Sequence, residues 1–255
     1  MASPLSFLDA SAPQQPRSSL GDFFSDAISH SSIQTLVDCL CSSSDPAIYS
    51  PDTTRTPLLH SDIHAFVSNF ALPHSTHRAP LGPNDRVMVV LPAGPENALA
   101  LLALGNYHSC APVNASCTAS ELQEDALRLK AKAIVTTGEI ERRLNLQSLQ
   151  EELDCEIIHI IPRSSGPAGL FDLAIPDDNA VLIPSQPTKP HGLDDTSLIL
   201  HTSGTSGKKK VVRYSLRTLL VGTWCVVQSW GLKANDINCG WRFGRLAPIL
   251  KLVHQ

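Results

Sequence analysis

Aromatic residues make up only 5% of the chain, methionine occurs twice, and neither sign of charge prevails. With 20 Lys+Arg against 24 Asp+Glu the formal net charge is −4, which argues against a chain-wide attraction to nucleic acid or anionic membrane. Long apolar runs are missing too. The longest clean one, residues 98–104, falls far short of the roughly 20 residues that cross a bilayer. The opening MASPLSFLDASAPQQPRSS has neither a basic start nor a long apolar stretch, which argues against a secretory signal. The closing LVHQ matches no peroxisomal tripeptide and no lipidation box, so a cytoplasmic chain is expected. Neither a repeat of solenoid period nor a G-x-G-x-x-G dinucleotide fingerprint occurs.

What is present suits a globular protein. The 255 residues, 42% apolar and 17% charged, suffice for one or two domains with a sizeable core. Seven cysteines stand at 39, 41, 110, 117, 155, 225 and 239 and are expected as small buried hydrophobes. Cys39 and Cys41 form C-x-C without a second pair at zinc-finger spacing, so no metal centre is expected. His74 and His77 fall in a Pro/Ser-rich loop and are expected on a mobile surface, and the sequon Asn114-Ala115-Ser116 has no meaning without a secretory route.

Residues 1–30 are set apart as a disordered segment, Ser/Pro/Gln-rich in its first part. Ile33, Leu36, Val37 and Leu40 carry the helical period and predict a helix over 31–40. A short extended piece at 47–49 precedes a second helix, capped by Ser61, with Ile63, Phe66, Val67 and Phe70 on one face and Pro73 ending it. The middle third alternates. Strands are predicted at 86–91, 111–113, 132–136 and 156–161, with helices at 96–107, 118–129 and 139–152; Thr118 and Glu121 supply a capping box for the second of these. That rhythm predicts an α/β fold with a mostly parallel sheet flanked by helices. Residues 162–194, with Pro162, Pro167, Pro176, Pro184, Pro187 and Pro190, are expected as a long surface connection.

The chemistry lies in TSLILHTSGTSGKKKVVRYSLRTL, residues 196–219. A strand at 197–201 runs into Thr202, Ser203, Gly204, Thr205, Ser206, Gly207, Lys208, Lys209 and Lys210, then a β-like pair, Val211 and Val212. Hydroxyls donate hydrogen bonds, glycines let backbone N–H groups approach an anion, and lysines supply point charge, a set suited to polyphosphate. It is no Walker A, because Gly204 and Gly207 enclose two residues rather than four and Lys209 follows Lys208. Nor is it a nucleophile elbow, which would need Gly where Lys208 stands. From the residues alone, a polar hairpin turn with solvated lysines stays open beside the phosphate loop.

This stretch resembles the phosphate-binding signature [ST]-S-G-[ST]-[ST]-G-x-P-K of the adenylate-forming superfamily, the AMP-dependent synthetases and ligases that include acyl-CoA synthetases. Upstream, DRVMVVLPAGPE at 85–96 is similar to the family's strand and "P-N-G-P-E" turn; APVNASCTASEL at 111–122 is similar to its "P-v-N-p" segment, and residues 131–136 to its next strand. Residues 46–70 resemble its opening strand, turn and first helix. The resemblance covers 30–238 in order. Two departures stand out: Lys209 occupies the signature's proline, and residues 237–245, INCGWRFGR, replace the family's "P-l-f-H-x-x-G" segment.

The resemblance implies that residues 31–238 are part of such an enzyme's large N-terminal domain, incomplete, with 239–255 a divergent tail expected to pack poorly. It implies ATP with Mg²⁺, a small carboxylic acid activated as its adenylate, and coenzyme A or phosphopantetheine as acceptor. By motif match Thr202, Ser203, Thr205, Ser206 and Lys210 are the phosphate ligands, with Gly204 and Gly207 allowing close approach. The family's "Y-G-x-T-E" and "T-G-D" motifs do not occur within the chain. Two expectations follow: an AMP-forming ligase present here in part, its full-length parent cytoplasmic or peroxisomal, or a non-catalytic relative that at most binds polyphosphate or a protein partner.

Overall fold

The computed structural model describes residues 20–75, 78–176, 182–183, 189–202, 210–233 and 236. Residues 203–209, His77, Cys239 and the tail 239–255 lie outside the described residues.

Strand β4 (Arg86–Leu91) shows how the sequence builds the centre. Val87, Val89 and Leu91 join one core cluster while Met88 and Val90 join another, so the period of two puts an apolar side chain on each face of the sheet. Strands β5 (Ser109–Asn114), β6 (Ala133–Thr136) and β7 (Glu156–Pro162) run parallel with it. In β6, Ala133 and Val135 face the first cluster and Ile134 the second. Helices α2 (His60–Ser68) and α3 (Pro95–Tyr107) contribute to the first cluster. The opposite face is covered by α4 (Ala119–Leu129), α5 (Gly138–Leu144) and α6 (Leu146–Leu153). This is a three-layer α/β fold.

Among the described residues the central sheet has seven strands, ordered β11-β10-β5-β4-β6-β7-β8, where β8 is Phe171–Ala174, β10 Thr196–Thr202 and β11 Lys210–Ser215. Only the outermost pairs, β7–β8 and β10–β11, are antiparallel. Two small antiparallel pairs lie beside it: β1 (Pro46–Ile48) with β2 (Leu58–Leu59), and β3 (His74–Ser75) with β9 (Leu182–Ile183). Helix α7 (Leu216–Trp230) starts at Ser215, whose Oγ accepts from Thr218 N–H, and ends at Gly231 in the left-handed region.

Several expectations are corrected. Residues 20–29 are not disordered: α1 (Leu20–Ser29) is a helix whose Phe24 meets Trp224 of α7 edge-on at 5.4 Å. The helix expected over 31–40 is only a 3-10 turn, Val37–Cys39. The Asp38 carboxylate accepts from Gln34 N–H (2.9 Å) and Thr35 N–H (2.7 Å), capturing donors that an α-helix would use, while Ile33, Leu36 and Leu40 are buried all the same. The second helix starts at His60, where Asp62 accepts from Leu59 N–H, not at a Ser61 cap. The helix expected over 139–152 breaks at Asn145, whose φ of 50° ends α5. The connection after 162 is no plain surface loop, since β8 lies in it and closes one edge of the sheet. Cysteines 39, 110, 117 and 155 are buried as expected, whereas Cys41 and Cys225 are only half-buried. Burial pushes the Cys39 and Cys110 thiols up to about 12 and Cys155 to about 11, which leaves them unreactive.

Candidate functional site

Thr202 and Lys210 face each other as the last rung of the β10–β11 ladder, the end of one strand and the start of the next. Residues 203–209 therefore connect two backbones held at antiparallel-pair spacing, about 5 Å. Lys210 is exposed at that end. Of the predicted site residues, the structure brings Thr202 and Lys210 together; Ser203, Gly204, Thr205, Ser206 and Gly207 lie outside the described residues.

The sheet decides on which edge β10 ends. Because β10 pairs in parallel with β5, at Leu198↔Cys110, it ends on the same edge as β4, β5 and β6. In open α/β sheets that carboxyl edge is where ligands bind. On the same edge the chain leaving β5 is fixed locally: Asn114 Oδ1 accepts from Ser116 N–H (3.0 Å), and the Arg143 guanidinium donates to Cys117 O (3.1 Å) and to Ala115 O.

The opposite end of β10 is packed tightly. Ser197 Oγ donates to Gly105 O at 2.5 Å, Ser109 Oγ to Thr196 O at 3.0 Å, and His191 Nε2 to Pro83 O at 2.5 Å. A Cβ on Gly105 would sit 3.1 Å from Ser197 Oγ, so glycine here lets α3 and β10 approach. The buried His108 ring donates from Nδ1 to Gly82 O (3.0 Å), one residue from the carbonyl that His191 holds.

The upstream motifs are structural. In PAGPE, Pro95 opens α3 and Glu96 Oε1 accepts from Arg55 Nη1 (2.6 Å) and Gly169 N–H (3.3 Å). In TASE, Thr118 and Glu121 complete the reciprocal cap of α4. Sequence reasoning missed Arg55, Gly169 and Arg217, which hold segments far apart in the chain; local patterning carries no signal for such partners.

The family described as AMP-binding enzyme matches residues 76–246. The chain belongs to that family. The matched span runs from just after β3 through α7 and takes in the whole β10–β11 hairpin. An acetyl-coenzyme A synthetase of Cupriavidus metallidurans is 26% identical over 215 residues, covering 76% of this chain and 32% of that protein. A 3-hydroxypropionyl-coenzyme A synthetase of Sulfurisphaera tokodaii is 30% identical over 189 residues, covering 63% and 27%. In fold, the apo MatB structure from Rhodopseudomonas palustris superposes with a TM-score of 0.60 at 18% identity, covering 86% of this chain and 43% of that one. The acyl-CoA synthetase of Brucella canis gives 0.59 at 21%, covering 86% and 42%. The chain thus spans between about a quarter and a third of the length of the two synthetases it matches. Among the described residues, no helix is long and apolar enough to cross a membrane.

Proposed function

We propose that residues 202–210 hold the β- and γ-phosphates of ATP in an AMP-forming acid–thiol ligase, of which this chain supplies the phosphate-gripping part of the N-terminal domain. The observation that carries the reading is the hairpin itself. β10, parallel to β5, ends at Thr202 on the carboxyl edge opposite Lys210 at the start of β11, and the sequence joining these two ends carries three further hydroxyl residues and two glycines. The donor set fits a polyphosphate: N–H and O–H groups for its oxygens and a lysine for its charge. Thr202, Ser203, Thr205, Ser206 and Lys210 would hold the phosphates, and Gly204 and Gly207 would admit them. Mg²⁺ would arrive with the nucleotide and neutralise charge on the departing pyrophosphate. What these residues contribute to adenylation is position and compensating charge, by fixing one end of the nucleotide while a carboxylic acid attacks the other. Coenzyme A or phosphopantetheine would take the acyl group, and no residue of this chain is assigned to it.

A second reading, a relative that binds polyphosphate without catalysis, draws on residues 237–245, where INCGWRFGR replaces the family's "P-l-f-H-x-x-G" segment. Both readings share the loop. Titration calorimetry with inorganic tripolyphosphate tests it: binding should weaken several-fold in Lys210→Ala and fall with added salt. Equal affinity in the variant would remove Lys210 from the site.

A further inference from the structure

The hairpin that carries the candidate phosphate loop is fastened to the protein at its base. β10 registers with β5 at Leu198↔Cys110, near the strand's start, and further along β5 Pro112 has no N–H to donate. From Ile199 to Thr202 the ladder partners described for β10 belong to β11. The distance from the Thr196↔Ser215 rung to the tip is six residue steps, or about 20 Å at 3.3 Å per residue. A tilt of about 5° at the base therefore moves the tip by roughly 1.7 Å, and misplacements near 1 Å already cost reacting groups heavily.

One side chain closes that base. Arg217, in the first turn of α7, donates from its backbone N–H to Leu193 O (2.7 Å), while the neighbouring Leu216 N–H donates to Asp195 O (3.2 Å). The Arg217 guanidinium grips the Asp194 carboxylate with both prongs, Nε to Oδ1 at 2.8 Å and Nη2 to Oδ2 at 3.0 Å. Its remaining Nη1 donates to Ser29 Oγ (2.7 Å) at the end of α1. The chain entering β10, the chain leaving β11 and the N-terminal helix meet at this guanidinium. A two-pronged Arg–carboxylate contact fixes orientation as well as distance.

We propose that Arg217, through Asp194, is a positioning residue for the phosphate loop: it sets the angle at which the hairpin leaves the sheet. The proposal rests on the reading that residues 202–210 hold phosphate, and its test separates the two. Amide hydrogen exchange is followed on the unliganded chain, and tripolyphosphate affinity by calorimetry, for Arg217→Ala, Arg217→Lys and the exchanged pair Asp194→Arg/Arg217→Asp. In Arg217→Ala, exchange across 210–216 should rise about tenfold while β4 and β6 keep their protection, and affinity should fall three- to tenfold. The exchanged pair should recover most of both losses. Arg217→Lys, keeping charge without the fork, should recover little. Unchanged exchange in Arg217→Ala overturns the proposal, and so does a loosened hairpin with undiminished affinity. If the wild-type chain binds no tripolyphosphate, the phosphate reading fails, and exchange alone then upholds or overturns the clamp. Should Arg217→Ala not fold, Asp194→Asn takes its place with the same outcomes.

Discussion

Arg55 and Glu96 form an ion pair at 2.6 Å with both side chains largely buried, and it joins the turn before β2 to the first turn of α3. The same Glu96 oxygen receives Gly169 N–H, and Arg55 Nη2 donates to Pro167 O (2.9 Å). Three segments far apart in sequence converge on one carboxylate near the N-terminus of a helix, where negative charge is favoured. Removing it leaves a guanidinium short of its counter-charge. We expect Glu96→Ala to cost about 3 kcal/mol, the usual penalty for breaking a buried pair. Glu96→Gln should cost less, because the amide oxygen still accepts. Urea denaturation of the three proteins checks this, and a loss below about 1 kcal/mol in Glu96→Ala would reduce the pair to surface decoration.

Gly169 and Gly166 offer a controlled comparison in the turn between β7 and β8. Both have positive φ, 97° and 89°. A Cβ on Gly169 would stand 3.2 Å from Pro95 O and 3.4 Å from Leu58 Cδ2, whereas one on Gly166 meets nothing within 4 Å. Gly166→Ala should therefore show backbone strain alone, about 1 kcal/mol, and Gly169→Ala about 2–3 kcal/mol, because the crowded atom is backbone. Equal losses would place the whole effect in φ.

Much of this architecture is legible in the sequence because burial on both faces leaves a simple mark. RVMVVL is a strand over the full span 86–91, and T-x-x-E marks the start of α4. The helix proposed over 31–40 fails for a local reason. The apolar spacing describes which side chains are buried, and Asp38 decides that the backbone does not follow. The break at Asn145 and the strand at 171–174 fail for others: a left-handed residue inside an apolar period, and a strand whose partner β7 determines it. The candidate loop is marked by its composition. The direction of the strand that leads into it comes from the parallel pairing of β10 with β5, and that is tertiary.

The buried His108 gives the fold a pH dependence. Burial holds its imidazole below the usual 6.5, the nearby His191 ring lowers it further, and the Gly82 carbonyl and Asp85 oppose the shift. Because the folded-state pKa lies below the unfolded one, the unfolded chain binds more protons as pH falls through 6.5. Stability is then full above 6.5 and declines as pH drops, levelling off below the depressed folded value. Thermal midpoints between pH 7.5 and 5 should fall with a slope that His108→Gln reduces. An unchanged slope in the variant would assign the acid sensitivity to other groups.

Activity of these 255 residues tests how much of a ligase the phosphate grip amounts to. On the proposed reading each charge-assisted hydrogen bond from Lys210 or the hydroxyls would contribute about 1.5–3 kcal/mol to holding polyphosphate. Orientation of two reactants supplies about 7–11 kcal/mol of a barrier, and only when both are held. On the proposed reading the loop would grip one end of ATP; the motifs that resemble ribose and adenine contacts elsewhere in the family do not occur in this sequence. We therefore expect tripolyphosphate and ATP to bind with similar, modest affinity, because the nucleoside gains no partner. Exchange of labelled pyrophosphate into ATP should stay at the level of the Lys210→Ala control across a panel of small carboxylic acids. Exchange that depends on one acid and disappears in Lys210→Ala would mean that the nucleoside and the acid are both held by residues within this chain. The phosphate loop would then belong to a working site, and the non-catalytic reading would have to be abandoned.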